Sequence, residues 1–176
     1  SDQKIYYKYV AKKLETGEIE KGIFPAFSKL DVHSFLLAEG YEVYEITPQK
    51  NYGRSLLTRF IKRKMKRSDL IFFLTQLSTF LKSGLPLLDS IKILEKQTKK
   101  KVQKNLFKSI AYELTMGENF SEALEKQGES FPKLLVNMIR SAELAGNLPE
   151  ILDDMSVYYE EIEKTRKQMK SAMTYP

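Results

Sequence analysis

The stretch from Leu70 to Leu94 most constrains how this chain can fold, because it contains two apolar helical runs separated by a short break. Gly84 suits the left-handed conformation that ends a helix, and Pro86 suits the first turn of the next one. Two helices joined so closely lie antiparallel, and neither can bury its apolar face alone. The sequence therefore predicts a helical hairpin that the remaining helices cover. Its apolar positions recur at helical spacing and are Leu70, Phe73, Leu74, Leu77, Phe80, Leu81, Leu87, Leu88, Ile91 and Leu94.

Four further helices are predicted after the hairpin. The first has apolar residues every fourth position, at Val102, Leu106, Ile110 and Leu114. A short helix over 120–126 has Asn119 as its predicted cap, the next runs from Phe131-Pro132 to Gly146, and the last begins at Leu148 and loses its apolar stripe after Ile162. Six helices with short connections predict a mainly α fold, built as an antiparallel six-helix bundle.

A smaller β-β-α-β unit is predicted before the bundle. Strands are expected near residues 5–13, 19–26 and 41–46. Ser28 opens a helix with a capping-box pattern, and its apolar side is expected to contain Leu30, Phe35, Leu36 and Leu37, while His33 is expected at the surface. Such a unit has little core of its own. We therefore predict three parts: this subdomain over 1–48, a basic linker over 49–67 and the bundle over 68–176, with Ser68 as the cap of its first helix.

Positive charge is concentrated in one segment of the chain. The net charge is +6, but residues 51–104 alone carry 14 basic and 3 acidic side chains. The densest part is a run that could bind anionic lipid headgroups or an acidic protein partner. The alternatives are a solvated linker or a nucleic-acid-binding segment, although the sequence contains no recognisable RNA- or DNA-reading motif. The residues of this run are Arg59, Lys62, Arg63, Lys64, Lys66 and Arg67.

The sequence offers little for catalysis. It has no cysteine, its single histidine is His33, and it contains no phosphate-binding loop or nucleophile–base pattern. We therefore predict neither an enzymatic activity nor a cofactor. No run of about 18 apolar residues, which a membrane span would need, is present.

Acidic side chains cluster where the last two helices meet. Glu143, Glu150 and Asp153, with Asp154 beside them, are weak candidates for a divalent-metal site. The simpler interpretation is that Glu150 and its neighbours favour the N-terminus of the last helix. Glu143 stands among small residues, an arrangement that suits hydrogen bonding to backbone N–H groups. Further along that helix, one residue of the Tyr158-Tyr159 pair should pack inward, which leaves the other for a possible homodimer contact.

Two segments together resemble the paired signatures of the GspF/PilC family. They are FLTQLSTFLKSGLPLLDSIKIL and MGENFSEALEKQGESFPKLLVNMIRSAELAGNLPEIL. The family often has Gly and Ser where this sequence has Ala142 and Ala145, so small residues are kept. The residues that carry the motif are Gln76, Gly84, Pro86, Gly117, Phe131, Pro132, Glu143 and Gly146.

The resemblance implies a function that neither composition nor periodicity gives. Members of this family are inner-membrane platform proteins of type II secretion systems, type IV pili and competence pili. The resemblance implies a non-enzymatic scaffold, the first cytoplasmic domain of a multi-pass membrane protein, on the cytoplasmic face of the bacterial membrane. Its implied partners are a hexameric assembly ATPase, inner-membrane alignment proteins and pilin or pseudopilin, and no nucleic acid is expected. Basic residues over 164–170 fit a cytoplasmic position just before a membrane span.

Overall fold

A computed structural model describes residues 4–49 and 64–174 of the chain and confirms the mainly α fold with a small β-sheet. The N-terminal part comprises β1 (Ile5–Lys13), β2 (Ile19–Ala26), α1 (Lys29–Ala38) and β3 (Tyr41–Gln49). Within the described residues, six more α-helices follow: α2 (Arg67–Lys82), α3 (Leu87–Gln97), α4 (Lys101–Thr115), α5 (Phe120–Glu125), α6 (Lys133–Ala145) and α7 (Leu148–Thr174). One 3₁₀ turn lies at Gly128–Ser130.

The three strands form an antiparallel sheet in the order β2-β1-β3. Tyr9 at its centre pairs with Gly22 on β2 and with Ile46 on β3. Alternate side chains of β1 are buried against helices, as expected for a sheet with one covered face. β3 continues to Gln49, three residues beyond its predicted end, because an edge strand can accommodate Pro48.

α1 begins as predicted, but its buried face was only partly identified. The Asp31 N–H donates to Ser28 Oγ over 3.1 Å and so caps the helix. The buried residues are Val32, Phe35 and Leu36, at the i, i+3, i+4 spacing of one helix face. The prediction that Leu30 and Leu37 share this face was wrong, because they fall outside this spacing and are exposed. His33 is exposed, as predicted.

The predicted hairpin is formed by α2 and α3. Gly84 has φ +93° and ends α2, with its N–H donating to the Leu81 carbonyl while the Leu85 N–H donates to the Phe80 carbonyl. This pair of bonds is a Schellman motif. Two details of the prediction were wrong. α2 begins at Arg67, so Ser68 is not its cap, and Pro86 precedes the first turn of α3 rather than lying within it.

α4 is the element that the other layers surround. Every residue from Leu106 to Glu113 is buried, whereas the sequence suggested a single apolar stripe. On one side Tyr112 packs against Phe24 and Phe35 of the N-terminal unit, and on the other Phe107 stacks on Phe73 of α2. One hydrophobic core therefore runs from the sheet into the bundle. The division of the chain into domains at residues 48 and 67 stays a prediction.

Candidate partner-binding surface

The basic run predicted to bind a partner lies partly within the described residues. Lys64 and Lys66 are exposed, while Arg59, Lys62 and Arg63 lie outside the described residues. Arg67 is half-buried at the start of α2, where its Nη1 lies 4.0 Å from Glu163 Oε2 on α7. The run is held against the bundle because the Met65 N–H donates to the Ser130 carbonyl over 3.3 Å.

The fold brings two other basic segments to the same end of the bundle. α2 and α7 are antiparallel, since Arg67 faces Glu163 at one end and Lys82 faces Asp153 towards the other. The loop before α4 also reaches this end, where Lys100 Nζ lies 2.9 Å from Asp69 Oδ2. We call this surface the basic end and define it by Lys64, Lys66, Arg67, Lys99, Lys100, Lys101, Lys164, Arg166, Lys167 and Lys170.

The carboxylates near the basic end do not cancel its charge. Asp69 is already paired with Lys100, and Glu163 is paired with Arg67 and Arg166. The hydrogen bond from Arg166 holds the pKa of Glu163 below its ordinary value. All residues from Lys164 to Thr174 are exposed, so the last turns of α7 extend beyond the core. The ten basic residues of this surface outnumber the two carboxylates that pair with them, and a surface with excess positive charge attracts anionic partners.

A groove of about 850 Å³ adjoins this surface, between the start of α2 and the start of α6. Phe131 is buried in its floor, with its ring centroid 5.5 Å from that of Phe73. Pro132 is exposed at the N-cap of α6. These two motif residues thus shape the groove wall beside Lys64 and Met65.

Glu143 joins α6 to α5 through both of its carboxylate oxygens. Oε1 accepts the Ser121 N–H over 2.6 Å, and Oε2 accepts the Ser121 hydroxyl over 2.9 Å. Asn119 is the N-cap residue of α5, as predicted, but its side chain makes no capping hydrogen bond. The Glu143 carboxylate instead satisfies an N–H of the first turn and carries the charge that a helix N-terminus favours.

The other motif residues serve turns or lie on helix surfaces. Gly117 and Gly146 have φ values of +94° and +74° and lie just after α4 and α6. Both conformations are left-handed, which only glycine adopts without strain. Gln76 is half-buried on α2.

The weak metal-ligand candidates do not assemble into a site. Glu143 contacts Ser121, Glu150 is exposed, and Asp153 is hydrogen-bonded by Lys82, which lowers the pKa of its carboxyl. Across residues 4–49 and 64–174, no three His, Cys, Asp or Glu side chains come together in a way that could hold a metal ion.

The tyrosine pair on α7 divides between the interior and the surface. Tyr159 is buried, and Tyr158 is 45% exposed, with the two rings edge to face at 5.1 Å. This is the inward and outward arrangement expected of adjacent residues on a helix. A homodimer contact through Tyr158 stays a prediction.

The sequence analysis missed a buried ionic cluster on α4. Lys108 is 1% exposed, and its Nζ lies 2.6 Å from Glu95 Oε1 on α3 and 2.9 Å from Glu20 Oε2 on β2. The same Nζ donates to the Tyr41 hydroxyl on β3 over 3.0 Å, and the Tyr9 hydroxyl donates to Glu20. One ammonium group therefore ties the sheet to two helices.

The protonation of this cluster follows from its surroundings. Burial alone would lower the pKa of Lys108, but the facing carboxylates and hydroxyls raise it above its ordinary value, so the side chain stays charged. Burial acts to raise the pKa of Glu20, yet Lys108 and the two hydroxyls bring it below its ordinary value. For Glu95 the burial prevails, and its pKa is raised. The only signal in the sequence was a charged residue that directly follows the apolar pair Leu106-Phe107 on a helix.

A second buried charge lies one helical turn or so further along α4. Glu113 is 1% exposed and is paired with Lys4 at the start of β1 and with Lys126 after α5, the latter at 3.4 Å. Burial, followed by the nearby Lys126, lowers the pKa of Lys4 to about 8. Both ionic clusters connect the sheet to the bundle and leave the basic end free.

No helix that the structure describes combines the length and the hydrophobicity that crossing a membrane requires.

Comparison with known proteins identifies the family. A sequence model described as type II secretion system (T2SS), protein F, matches residues 73–176. The type IV pilus assembly protein PilC of Thermus thermophilus is 33% identical over 171 residues, covering 97% of this chain and 42% of the relative. PilC of Myxococcus xanthus is 30% identical over 168 residues, covering 93% of this chain and 39% of the relative. Type II secretion system protein F of Vibrio cholerae is 26% identical over 162 residues, covering 91% of this chain and 40% of the relative.

The chain thus spans about two fifths of the length of these relatives. The matched region contains the whole of the first signature, which begins at Phe73, the Glu143 turn and all of α7. On this evidence the chain belongs to the type II secretion system protein F family, which includes the PilC proteins of type IV pilus assembly.

Proposed function

We propose that this chain is a non-enzymatic scaffold domain of an inner-membrane platform protein, and that it couples a cytoplasmic assembly ATPase to pilus or pseudopilus assembly. Membership of the family supports the setting, since relatives are named for type IV pilus assembly and type II secretion. The observation that carries the proposal is the basic end, where three separate segments present lysines and arginines that the core does not use.

The basic end suits a position at the cytoplasmic surface of a membrane. Positive residues flanking a membrane span favour the cytoplasmic side, and α7 carries Lys164, Arg166, Lys167 and Lys170 on turns that extend beyond the core. Each basic residue close to an anionic membrane contributes about 1 kcal/mol. The same surface and the adjoining groove are then placed where a cytoplasmic ATPase could bind while pilin or pseudopilin and the alignment proteins act at the membrane.

The test is binding of the purified chain to the assembly ATPase of its own system and to vesicles that contain phosphatidylglycerol. Two variants, K64Q/K66Q and K167Q/K170Q, remove two charges each from the basic end. The matched control K29Q/K82Q removes the same charge from exposed lysines elsewhere. We expect each basic-end variant to bind roughly 30-fold more weakly to at least one of the two targets, as about 2 kcal/mol implies, and the control to bind like the wild type.

The outcomes separate the components of the proposal. Loss of ATPase binding alone assigns the basic end to the ATPase, and loss of vesicle binding alone assigns it to the membrane. If the unaltered chain binds neither target, or if the control loses binding as much as the basic-end variants, the proposal fails. Salt-sensitive binding to duplex DNA that exceeds binding to both targets would favour the nucleic-acid alternative instead.

A further inference from the structure

A second cavity, of about 450 Å³, lies between the β1–β2 hairpin and one side of α4. Lys8 pairs with Ile23, and Val10 pairs with Lys21, so these four residues share one face of the hairpin. The opposite face contains Phe24, which packs against α1 and α4. The cavity is lined by these outer-face residues and also by Tyr9, whose ring packs on Phe24, so it adjoins the aromatic core.

The lining combines an apolar wall with a purely positive rim. The wall is formed by Val10, Ile23, Pro25, Val102 and Leu106. Exposed lysines stand around it at positions 8, 21 and 101, and no Asp or Glu is among the lining residues. Within the described part of the chain these three lysines form no ion pair, whereas Lys82, Lys92, Lys100 and Lys126 all do.

One buried polar atom in the lining lacks a partner. Ser109 is 3% exposed, and its Oγ has no hydrogen bond among the residues that the structure describes. Gln127, which also lines the cavity, is buried and donates its side-chain amide to the Ala123 carbonyl. Buried hydroxyls are normally paired, so a ligand carbonyl or hydroxyl would complete this site.

We propose that this cavity binds an acyl chain that carries an anionic head, with the chain against the apolar wall and the head among Lys8, Lys21 and Lys101. The volume falls in the range of small-molecule sites, about 300–1,000 Å³, and such sites combine apolar walls with a few polar groups. Lys101 also belongs to the basic end. The choice of a membrane lipid over a soluble anion rests on the proposed function, which places that end at a membrane.

The test uses laurate as the probe, below its aggregation concentration, with amide chemical shifts in ¹⁵N NMR spectra of the whole chain as the readout. Three ligands separate the required features: 1-dodecanol keeps the chain without the charge, acetate keeps the charge without the chain, and benzoate is a soluble anion without an acyl chain. We expect saturable shifts around Val102, Leu106 and Ser109 with laurate, at least tenfold weaker binding of dodecanol and benzoate, and no binding of acetate.

Variants connect the binding to the cavity. Val102→Phe places a large side chain in the cavity at a half-buried position of the apolar wall and should weaken laurate binding at least tenfold. If that variant does not fold, Val10→Phe tests the same wall from the side of the sheet and should weaken laurate binding equally. The triple variant K8Q/K21Q/K101Q should bind laurate more weakly and bind dodecanol as the wild type does. The control K29Q/K82Q/K164Q should leave the affinities for both ligands unchanged.

Several results would overturn the proposal. Equal affinity for laurate and dodecanol, shifts located away from the cavity, or an unchanged affinity in both Phe variants would each do so. Tighter binding of an acidic apolar peptide than of laurate would assign the cavity to a protein partner instead. The result is independent of the ATPase test, because K64Q/K66Q should leave laurate binding intact and Val102→Phe should leave ATPase binding intact.

Discussion

α4 and α7 place the same type of side chain in opposite surroundings. In α4, Lys108 is 1% exposed and contacts two carboxylates and a tyrosine hydroxyl. In the last turns of α7, Lys164, Lys167 and Lys170 extend into solvent. The difference shows that lysines in this chain have two roles. Lysines that other layers cover hold the fold together, and those beyond the covering layers remain available for a partner.

The covering layers explain this difference. α4 lies between the sheet and α1 on one side and the hairpin on the other, so every residue from Leu106 to Glu113 is buried. α7 packs along α2 only as far as Ile162, which is half-buried. Among residues 4–49 and 64–174, no layer lies against its remaining turns. The predictions that follow test whether stability depends on the covered charges and not on the exposed ones.

The largest effect is expected for Lys108→Met. The substitution keeps the apolar stem, leaves Glu95 buried without its cation and leaves the half-buried Glu20 with only Lys13, at 3.8 Å. This should cost about 3–5 kcal/mol of unfolding free energy. Urea denaturation monitored by circular dichroism measures it. Lys164→Met is the control on the exposed helix and should stay within about 0.5 kcal/mol. Equal costs in the two variants would remove the distinction between α4 and α7.

The pH dependence of Lys108→Met sharpens the same test. In the wild type the lowered pKa of Glu20 contributes stability above the pKa of the unfolded chain and loses it as the pH falls. Without Lys108, burial raises the pKa of both carboxylates, and protonation then relieves the unpaired charge. The deficit of the variant should therefore be largest at neutral pH and should shrink as the pH falls through the raised pKa values of its two carboxyls, beginning above the ordinary Glu value of about 4.3. A deficit that does not change with pH would indicate lost packing rather than lost charge pairing.

A second large effect is expected for Leu77→Ala in α2, the helix that packs along the covered half of α7. Leu77 is fully buried. Truncation leaves a cavity and should cost about 2–5 kcal/mol in the same denaturation experiment. Leu144→Ala, at a position that is 89% exposed, should change stability by no more than about 0.5 kcal/mol. A small cost for Leu77→Ala would mean that the contact between α2 and α7 contributes little.

The same contrast explains what the sequence could and could not predict. The hairpin, the turn at Gly84 and the start of α1 followed from local chemistry, because caps, left-handed glycines and helical periodicity act within a few residues. The burial of every residue from Leu106 to Glu113 in α4 did not follow from local chemistry. The layer that covers its second face comes from a strand unit more than 60 residues earlier, and a single-stripe analysis assigns Tyr112 and Lys108 to solvent.

The candidate surface shows the same limit. The run at Lys64 and Lys66 was identifiable from composition alone, because dense charge is visible without a fold. Its meeting with Lys100 and with the end of α7 depends on the antiparallel course of α2 and α7, which sets residues about 100 positions apart at one end. The role of Glu143 was suggested by its small neighbours, but Ser121 as its partner required the packing of α6 on α5.

An intermediate effect is expected for Glu143→Ala. This half-buried carboxylate resembles the covered charges, since both of its oxygens are used, but it caps a helix rather than pairing with a lysine. Its loss should cost about 1–2 kcal/mol, in the range of a lost N-cap. Glu160→Ala, an exposed change in the middle of α7, is the control. If the two variants unfold at the same urea concentration, the contact between α5 and α6 is not a stabilising one.

The smallest effect is expected for Lys82→Met, which breaks an ion pair on the exposed side of the α2–α7 contact. Lys82 and Asp153 are both exposed by more than a third, so solvent screens the pair, and the cost should be only about 0.2–1 kcal/mol. The hydrogen bond from Lys82 holds the pKa of Asp153 below its ordinary value, so the pair adds stability above the pKa of the unfolded chain and loses it as the pH falls through the folded value. In the variant, NMR titration should find the pKa of Asp153 moved up towards about 3.9. A large stability loss with an unmoved pKa would contradict this account, because Lys82 would then act through packing, as the covered residues do.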